Sequence, residues 1–488
     1  MSVNPDGVRG GKPDTVVAGA GNTVAPAHDV RPDGTLPRDR SLTQDIFGTY
    51  STRLLIIGLS VITGVITARM LGPHNRGVFA LVYQFAATVV TFAKMGLAQS
   101  SVYSIRRERV GAERVAANAL CVALVLGLAS ALLAFGLRHR LLATMLRGVP
   151  QWALLISLPV IPILLFESYF YAILQALGKF GLYNRRMLIG TVSLVLGLFT
   201  FLVVIRGGLE AAILVVVCNP ILMDAWLLVT MHRMFPLSVR PEMPLLWRQV
   251  RFGVKSHAQV LAQHMHLRAD VYLVAYFLNP AQVAFYILAV RLAEFMLDIP
   301  RTVSMALYPR LASLDDRAMH RLTAQACRRT ILLTTVGGTL LSVAGPMLIV
   351  LWYGYAYAPA GRPLPLIAAG IVMLSVFVSL TQSFTSRNRQ QINIIAGLIA
   401  LVGNITLNVF LIPAMGILGA ALSSAISYGV ASALLLAFFV RASGLSVAEV
   451  LIPQGDDLRY FWNLLTGLMN RSMAVSARWA AARRRTLP

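Results

Sequence analysis

The sequence predicts an all-α protein that crosses a membrane about twelve times, in two six-helix lobes related by a parallel internal repeat. Of its 488 residues, 57% are hydrophobic and only 13% are charged, whereas a soluble domain carries about 25% charged residues. Apolar segments of about 20 residues, the length that spans a bilayer, recur along the chain. Two short motifs also recur at nearly one offset, which indicates duplication of a six-helix unit.

The strong positive charge is explained by membrane topology. Lys and Arg outnumber Asp and Glu by 43 to 20, which gives a net charge of +23. A soluble protein with this charge would suggest nucleic-acid binding, but the chain contains no nucleic-acid-binding motif. The three cysteines have neither metal-ligand spacing nor a disulfide framework. We therefore expect no nucleic-acid partner, no metal and no cofactor.

The chain is predicted to contain two lobes between two polar tails. Residues 1–47 are rich in Gly, Pro, Asp and Thr, which predicts a disordered tail without the apolar region of a signal peptide. The lobes are predicted at 48–232 and 255–441, joined by a basic cytoplasmic linker at 233–254. The predicted spans lie near 53–71, 76–98, 115–136, 151–174, 186–206, 210–231, 256–277, 282–308, 329–353, 363–384, 391–413 and 416–440.

Loop charge predicts that both termini face the cytoplasm. One alternate set of loops holds 19 Lys and Arg residues and the other holds 6, and cytoplasmic loops carry the excess. The basic C-terminal tail, 442–488, is then cytoplasmic as well. Leu458, Phe461, Leu465 and Leu468 have helical spacing, so this tail is either an amphipathic helix on the inner leaflet or a solvated segment.

The internal repeat is visible in two pairs of turns. Leu71-Gly72-Pro73 is followed 207 positions later by Leu278-Asn279-Pro280. Gly207 and Gly416, each preceded by a Phe-Leu pair, match at an offset of 209. Because six spans separate the copies, both have the same orientation in the membrane. The substrate path should then lie between the lobes.

Ionisable side chains concentrate in the two helices between 255 and 301. A charge at mid-membrane depth costs about 2.5–3.5 kcal/mol on insertion scales, so it normally faces a cavity or a partner. In the first helix, His257, His264 and Arg268 lie on one face and Asp270 lies on the opposite face. The second helix carries a single stripe of ionisable side chains, Arg291, Glu294, Asp298 and Arg301. Such helices must be enclosed by other helices or line water.

Several cations are candidates for binding an anionic substrate in the lumen. The planar fork of arginine can donate two hydrogen bonds to one phosphate. Lys94 precedes Arg301 by the repeat offset, so both should lie at the cytoplasmic mouth; the alternative for Lys94 is snorkelling to lipid headgroups. The candidate set is Arg268, Arg291, Arg301, Lys94, Arg53 and Arg69.

Acids inside the spans are candidates for coupling or ion pairing, since a buried carboxyl can exchange a proton. The sequence leaves two roles open for Arg268 and Arg291: binding the substrate, or pairing with acids such as Asp270 and Glu294. His257 and His264 are expected to line the pore rather than to bind a metal. The candidate acids are Asp270, Glu294, Asp298, Glu167 and Asp224.

The motifs resemble those of a known family. Residues 69–80, Arg-Met-Leu-Gly-Pro-His-Asn-Arg-Gly-Val-Phe-Ala, resemble the turn that opens polysaccharide exporters of the Wzx-like kind. Arg268-Ala269-Asp270, Tyr286-Ile287-Leu288-Ala289 and residues 307–312, Leu-Tyr-Pro-Arg-Leu-Ala, are similar to second-lobe segments of that family. The resemblance covers about residues 48–440. It indicates the multidrug/oligosaccharidyl-lipid/polysaccharide (MOP) superfamily better than it indicates a substrate.

The resemblance implies a flippase. Such proteins move an undecaprenyl-pyrophosphate-linked oligosaccharide from the inner to the outer leaflet of the bacterial inner membrane, by alternating access of two lobes, for cell-surface or exopolysaccharide biosynthesis. Membrane lipids, a polysaccharide polymerase and a co-polymerase are the implied partners. Lipid II flippases have fourteen spans rather than about twelve, which weakens the lipid II alternative.

Other functions fit the sequence less well. A cation-coupled multidrug antiporter would need an excess of buried acids, whereas the deep cations here at least match the acids in number. A membrane glycosyltransferase or polymerase would need a large polar loop with catalytic acids, and 232–254 contains one acid, Glu242. A non-transporting scaffold would not need charged residues inside its spans. We therefore expect no enzymatic activity.

Overall fold

The computed structural model describes residues 40–463 and 466, and this part of the chain is helical, without strands. Residues 1–39 of the predicted tail lie outside it, while 40–47, predicted to be disordered, already belong to the first helix. The α-helices are α1 (Arg40–Ala93), α2 (Leu97–Arg106), α3 (Ala112–Gly136), α4 (Arg138–Ala143), α5 (Gln151–Ser157), α6 (Val160–Ala176), α7 (Phe180–Leu198), α8 (Gly208–Met234), α9 (Met243–Phe277), α10 (Pro280–Glu294), α11 (Asp298–Ser313), α12 (Asp316–Tyr353), α13 (Leu364–Ser386), α14 (Gln390–Met415), α15 (Ile417–Ser443) and α16 (Val447–Leu451). Short irregular turns occupy Phe199–Val204, Phe295–Leu297 and Tyr355–Gly361.

The longest helix consists of two arms. Gly72 has φ 69° and ψ 171°, a backbone conformation that other residues avoid. Pro73, which has no N–H to donate, begins the second arm. The Leu-Gly-Pro motif therefore turns the chain back on itself, and residues of both arms, such as Ile57 and Tyr83, line one cavity.

The number of spans depends on how polar helices are counted. Within the described residues, nine helices are long and apolar enough to cross a membrane. That set counts the two arms of α1 as one helix and leaves out α9 and the pair α10–α11, which carry the charges discussed above. Counting the arms separately and adding these two segments gives twelve, the number predicted from the sequence, and the count of twelve stays a prediction.

Helix boundaries repeat between the two lobes, which are α1–α8 and α9–α15. α7 begins two residues after Gly178, with φ 69°, and α14 begins two residues after Asn388, with φ 58°. α8 and α15 begin at Gly208 and Ile417. These pairs lie at nearly the offset of the repeated sequence motifs, so the duplication predicted from sequence is present in the fold.

The connection between the lobes is shorter than predicted. Only residues 235–242 are non-helical, and α9 begins at Met243, inside the segment predicted as a linker. The first turns of α9 pack on the N-terminal lobe, where the rings of Tyr103 and Phe252 stack at 4.6 Å. The Arg114 guanidinium donates two hydrogen bonds to Glu242, one of them 2.5 Å long. The polar residues that suggest a loop thus bond across a helix interface.

The C-terminal segment docks on α12. Asp457 is fully buried and accepts hydrogen bonds from Nε of Arg328 at 2.8 Å and Nε of Arg329 at 3.0 Å. The Tyr460 ring covers the Arg329 guanidinium at 4.0 Å. The start of the predicted tail is therefore packed rather than solvated, while most of the remainder, including the arginines after 470, lies outside the described residues.

Replacing Asp457 with Asn should release this segment. Burial raises the pKa of Asp457, but hydrogen bonds from Arg328, Gln454 and Arg329 outweigh burial and hold the pKa below its ordinary value. A lowered carboxyl pKa contributes stability that is complete above the unfolded-state value, about 3.9, and is lost as the pH falls through the folded-state value. Docking should therefore not change between about pH 5 and 8.

Limited proteolysis of the C-terminal segment measures this docking. We expect Asp457→Asn to raise the cleavage rate at least tenfold, because the buried guanidinium of Arg328 loses its carboxylate, a loss of about 2–4 kcal/mol. Asp456→Asn is the matched control, since the Asp456 side chain is 85% exposed. Equal protection in both variants would show that the ion pairs do not hold the segment.

Candidate substrate cavity

A cavity of about 680 Å³ lies between the two lobes. The N-terminal lobe contributes walls from both arms of α1 and from α6, α7 and α8, and the C-terminal lobe contributes α10 and the start of α11. This volume lies within the range of about 300–1,000 Å³ that ligand pockets usually have. A molecule in this cavity would contact both lobes at once.

The cavity is open at one end and closed at the other. At the open end the side chains of Arg53 and Arg301 are 65% and 44% exposed. At the closed end the Tyr357 hydroxyl donates a hydrogen bond to the carbonyl of Ala68 at 3.1 Å. Arg69 closes the same end, because it donates to the carbonyls of Leu351 and Trp352 at the end of α12, at 2.7 Å each. Arg69 therefore links the lobes and does not line this cavity.

The two repeated turns meet at the closed end. Gly77, five residues after the kink at Gly72, lies against the backbone of Pro280 in the matching turn of the other lobe. A Cβ atom on Gly77 would lie 1.7 Å from the Pro280 carbonyl oxygen. Gly148 packs on the same proline ring. The glycines thus allow the backbones of two lobes to touch.

The predicted stripe on the second helix of the pair lines the cavity. Its members Arg291, Glu294, Asp298 and Arg301 all belong to the wall. Asp298 accepts a hydrogen bond from Arg53 of the other lobe at 3.4 Å and lies 3.9 Å from Arg301. At the mouth, one carboxylate is therefore shared by two guanidinium groups from different lobes.

Arg268 forms an ion pair rather than projecting into this cavity. Its two terminal nitrogens donate to the two oxygens of Glu294 at 2.6 Å and 3.1 Å. Asp270, the other partner considered for Arg268, instead accepts hydrogen bonds from the Tyr286 hydroxyl at 2.5 Å and from Ser424 at 3.2 Å. Of the two roles left open for Arg268, pairing is the arrangement in this conformation.

Two guanidinium groups in the cavity have no acidic partner. Neither Arg76 nor Arg291 has an ion pair or a side-chain hydrogen bond among the residues that the structure describes. Arg76 lies over the Phe79 ring at 5.3 Å, and both arginines line the cavity. Arg76 is not among the residues predicted for the site, because its motif predicts a loop. The sequence feature that could have identified Arg76 is its position next to Gly77.

A buried cluster in the N-terminal lobe holds the two predicted first-lobe acids. Arg186 lies 3.1 Å from Glu167 and donates a 2.5 Å hydrogen bond to Asp224. The Tyr171 ring lies 5.5 Å from this guanidinium. The sequence pattern places Arg186 at the first position of a predicted span and does not select it as a site residue, whereas it is a buried residue of α7. The sequence feature that could have identified Arg186 is that the predicted spans of this lobe contain two acids with no cation close to them in the sequence.

The remaining predicted residues lie outside the wall of this cavity. Lys94 is half-buried at the break between α1 and α2, where its backbone carbonyl accepts a hydrogen bond from Tyr169; it is not among the residues that line this cavity. Nε2 of His264 lies 2.9 Å from the Thr88 hydroxyl. Nε2 of His257 lies 3.3 Å from the carbonyl of Phe92. Both histidines thus bond to the second arm of α1, between the lobes.

The described residues contain no group of three or more His, Cys, Asp and Glu side chains that could hold a metal ion. Arginine, carboxylate and aromatic side chains line the cavity. Such groups can bind an anion and stack on a ring.

Comparison with models of known protein families shows to which family the chain belongs. Residues 42–315 match the model of the polysaccharide biosynthesis protein family, and this match includes all but the first two residues of α1 and the whole of α2 to α11. The chain belongs to this family. The solved structures that share its fold are of transporters and a flippase. No curated protein matches the chain significantly.

Solved structures of the MOP superfamily share the two-lobe fold. The lipid II flippase MurJ in an inward closed conformation matches with a TM-score of 0.67 and 15% identity, over 90% of this chain and 99% of that one. An inward-facing multidrug resistance transporter of the MATE family gives 0.66 and 14%, over 79% and 94%. An outward-facing MATE transporter gives 0.56 and 16%, over 83% and 95%. The chain thus has the fold of these membrane proteins.

Proposed function

We propose that the protein moves a lipid-linked oligosaccharide, joined to undecaprenol through a pyrophosphate, from the inner to the outer leaflet of the bacterial inner membrane. One observation carries the proposal. The cavity between the lobes contains two guanidinium groups, Arg76 and Arg291, that have no acidic partner in the described part of the chain. Unpaired cations in a partly enclosed site require an anionic ligand or water to compensate them.

The physical chemistry of this substrate matches such a cavity. The pyrophosphate and the sugars are costly to move through hydrocarbon, whereas the polyprenyl tail is stable there. A hydrated cavity that opens sideways to lipid lets the polar part cross while the tail stays in the bilayer. Arginine suits this task, because its fork donates two hydrogen bonds to one phosphate.

The two ends of the cavity indicate the direction of loading. Loop charge predicts that the termini, and therefore the mouth between Arg53 and Arg301, face the cytoplasm. In this orientation the closed end, at Arg69 and Tyr357, faces outward. Transport then requires the mouth contacts to close and the outer contacts to open, which is alternating access. Membrane lipids, a polymerase and a co-polymerase are the partners that fit this role.

The arrangement of acids favours this function over a cation-coupled multidrug antiporter. An organic cation would need a carboxylate that is free to pair with it. The acids that line the cavity are Glu167, Glu294 and Asp298, and each already lies within 4 Å of an arginine. Lipid II shares the pyrophosphate chemistry, so competition by lipid II is the measurement that separates the two lipid-linked substrates.

Arg291→Gln should reduce flipping about tenfold, because a lost charge-assisted hydrogen bond costs about 1.5–3 kcal/mol. Flipping of a fluorescent polyprenyl-pyrophosphate oligosaccharide in proteoliposomes measures this, with and without unlabelled lipid II. Arg362→Gln is the matched control, since Arg362 is exposed and does not line the cavity. Wild-type flipping by a well-expressed Arg291→Gln protein would contradict the proposal.

A further inference from the structure

The chain that follows the last long helix is held against the C-terminal lobe at two points. α15 ends at Ser443, and Val450 of α16 is fully buried in a small apolar cluster with Cys327 and Phe439. Seven residues after Val450, Asp457 bonds to two arginines of α12. Both points lie outside the wall of the cavity, so the segment has a defined position that the cavity does not require.

The length of α12 places this attachment at the inner membrane surface. α12 ends at Tyr353, next to the contacts of Arg69 that close the cavity on the side predicted to face outward. Arg329 precedes Tyr353 by 24 residues of helix, or about 36 Å at 1.5 Å per residue. A bilayer has about 30 Å of hydrocarbon and about 40–45 Å with its headgroup regions. Arg329, and Asp457 bonded to it, therefore lie at the depth of the inner headgroups.

The helix around Asp457 has an apolar side that nothing in the described part of the chain covers. Residues 455–463 are helical. Leu458 and Trp462 are four positions apart, hence on one side of that helix, and are 56% and 68% exposed. Ile452, just before the helix, is also exposed. These residues follow the last predicted span, so the lipid around a span does not account for them. Tryptophan is enriched at headgroup depth, where its ring is buried and its N–H stays wet.

The charges of the segment are compensated before its basic end begins. Asp457 is paired with α12, Glu449 caps the start of α16, and Asp456 lies 4.0 Å from Arg459. Residues 464–488, most of which lie outside the described part of the chain, contain five arginines and no acid. Exposed apolar side chains at headgroup depth are thus followed directly by a sequence of uncompensated positive charge.

We propose that the C-terminal segment is a binding site for anionic phospholipids of the inner leaflet. Leu458 and Trp462 insert among the headgroups, and the arginines after residue 470 bind the phosphates of lipids with a net negative charge. An amphipathic segment binds such a surface through buried apolar area together with the attraction between basic residues and anionic headgroups. The site is separate from the cavity and does not depend on what the cavity carries.

Quenching by a spin-labelled lipid measures this contact on the full-length protein. A fluorophore is attached to Leu458→Cys in a background without native cysteines, in nanodiscs of phosphatidylcholine that carries the spin label near the headgroup. An arginine near an anionic surface favours binding about fivefold, so added phosphatidylglycerol should strengthen the quenching about twofold or more. Asp456→Cys is the matched control, because Asp456 is exposed and lies about 200° around the helix from Leu458. Its label should be quenched little in either lipid.

Two kinds of variant separate the role of charge from that of apolar insertion. Replacing all five arginines of the basic end by Gln should remove the effect of phosphatidylglycerol on the Leu458→Cys label, and so should high salt with the natural sequence. Arg459→Gln should not, since this exposed arginine lies next to Asp456. Trp462→Ser should weaken the quenching in both lipids. The five arginines are Arg471, Arg478, Arg483, Arg484 and Arg485.

Two results would overturn the inference. Equal quenching of the labels at positions 456 and 458 in nanodiscs with phosphatidylglycerol would assign the exposed apolar side to water or to a protein partner. Quenching at position 458 that does not change with phosphatidylglycerol would show that the segment has no site for anionic lipid. Neither result bears on the proposed flippase, which flipping assays test separately.

Discussion

Replacing Gly77 with Ala should force the two lobes apart at the closed end and largely abolish flipping. The new Cβ atom would lie 1.7 Å from the carbonyl oxygen of Pro280 and 2.4 Å from its carbonyl carbon. Both are backbone atoms, so no side chain can rotate out of the way. Alanine is a better helix former than glycine by about 1 kcal/mol, but overpacking of this kind costs about 1–3 kcal/mol, and backbone contact places it at the upper end.

The expected consequence is a shift between conformations rather than simple unfolding. A penalty of about 3 kcal/mol that applies only when the lobes touch changes the ratio of closed to open forms about 100-fold. Spin labels at His74 and Tyr355, both exposed and on opposite lobes, in a background without native cysteines, report the separation at this end. We expect a longer mean distance together with at least tenfold slower flipping.

A matched glycine provides the control for this prediction. Gly58 lies in the first arm of the same helix, where a Cβ would meet nothing within 4 Å. Gly58→Ala should therefore keep the wild-type distance and flipping rate. If Gly77→Ala behaves in the same way, the contact between the two repeated turns does not control the closed end.

Glu294→Gln should destabilise the protein by about 2–3 kcal/mol, since removing one partner of a largely buried ion pair leaves an uncompensated charge. The side chains of Arg268 and Glu294 are 17% and 14% exposed, so solvent reduces the penalty below that of a fully buried pair. The remaining amide can bond the guanidinium but cannot neutralise it. Thermal unfolding in detergent, followed by tryptophan fluorescence, measures the loss.

The double variant with Leu at both positions decides the role of Arg268. Replacing both partners of such a pair by apolar residues is often neutral for stability. We expect the double variant to recover both thermal stability and flipping, because Arg268 does not line the cavity in this conformation. A stable double variant that cannot flip would instead show that the Arg268–Glu294 pair takes part in transport. Glu210→Gln, at an exposed acid of α8, controls for loss of one negative charge.

Much of the fold was predictable because membrane helices leave a strong signal in sequence. Spans must be about 20 apolar residues long, and charges cannot face lipid without cost. These constraints predict the helices, the internal repeat and the polar stripe from Arg291 to Arg301. They do not determine where the chain leaves the bilayer, so Arg186 was placed at the edge of a predicted span and the first turns of α9 in a linker, although both are helical.

The pairing of charges was not predictable from spacing alone. Arg268 is two residues from Asp270 in sequence, but successive residues of a helix point about 100° apart, and the two side chains bond to different neighbours. Which acid lies opposite an arginine depends on how α9, α10 and α15 pack together. No local pattern contains that information.

The sequence by itself determined the architecture: the apolar lengths, the duplicated Leu-x-Pro turns and the family motif at residues 69–80 specify a two-lobe membrane protein. Only the tertiary structure decided which cations are free. Arg69 caps α12, Arg268 bonds to Glu294 and Arg186 bonds to Glu167 and Asp224, while Arg76 and Arg291 lie in the cavity without an acid among the described residues. The physical reason is that the free energy of a buried charge depends on groups within a few ångströms in space, and those groups come from helices far apart in the chain.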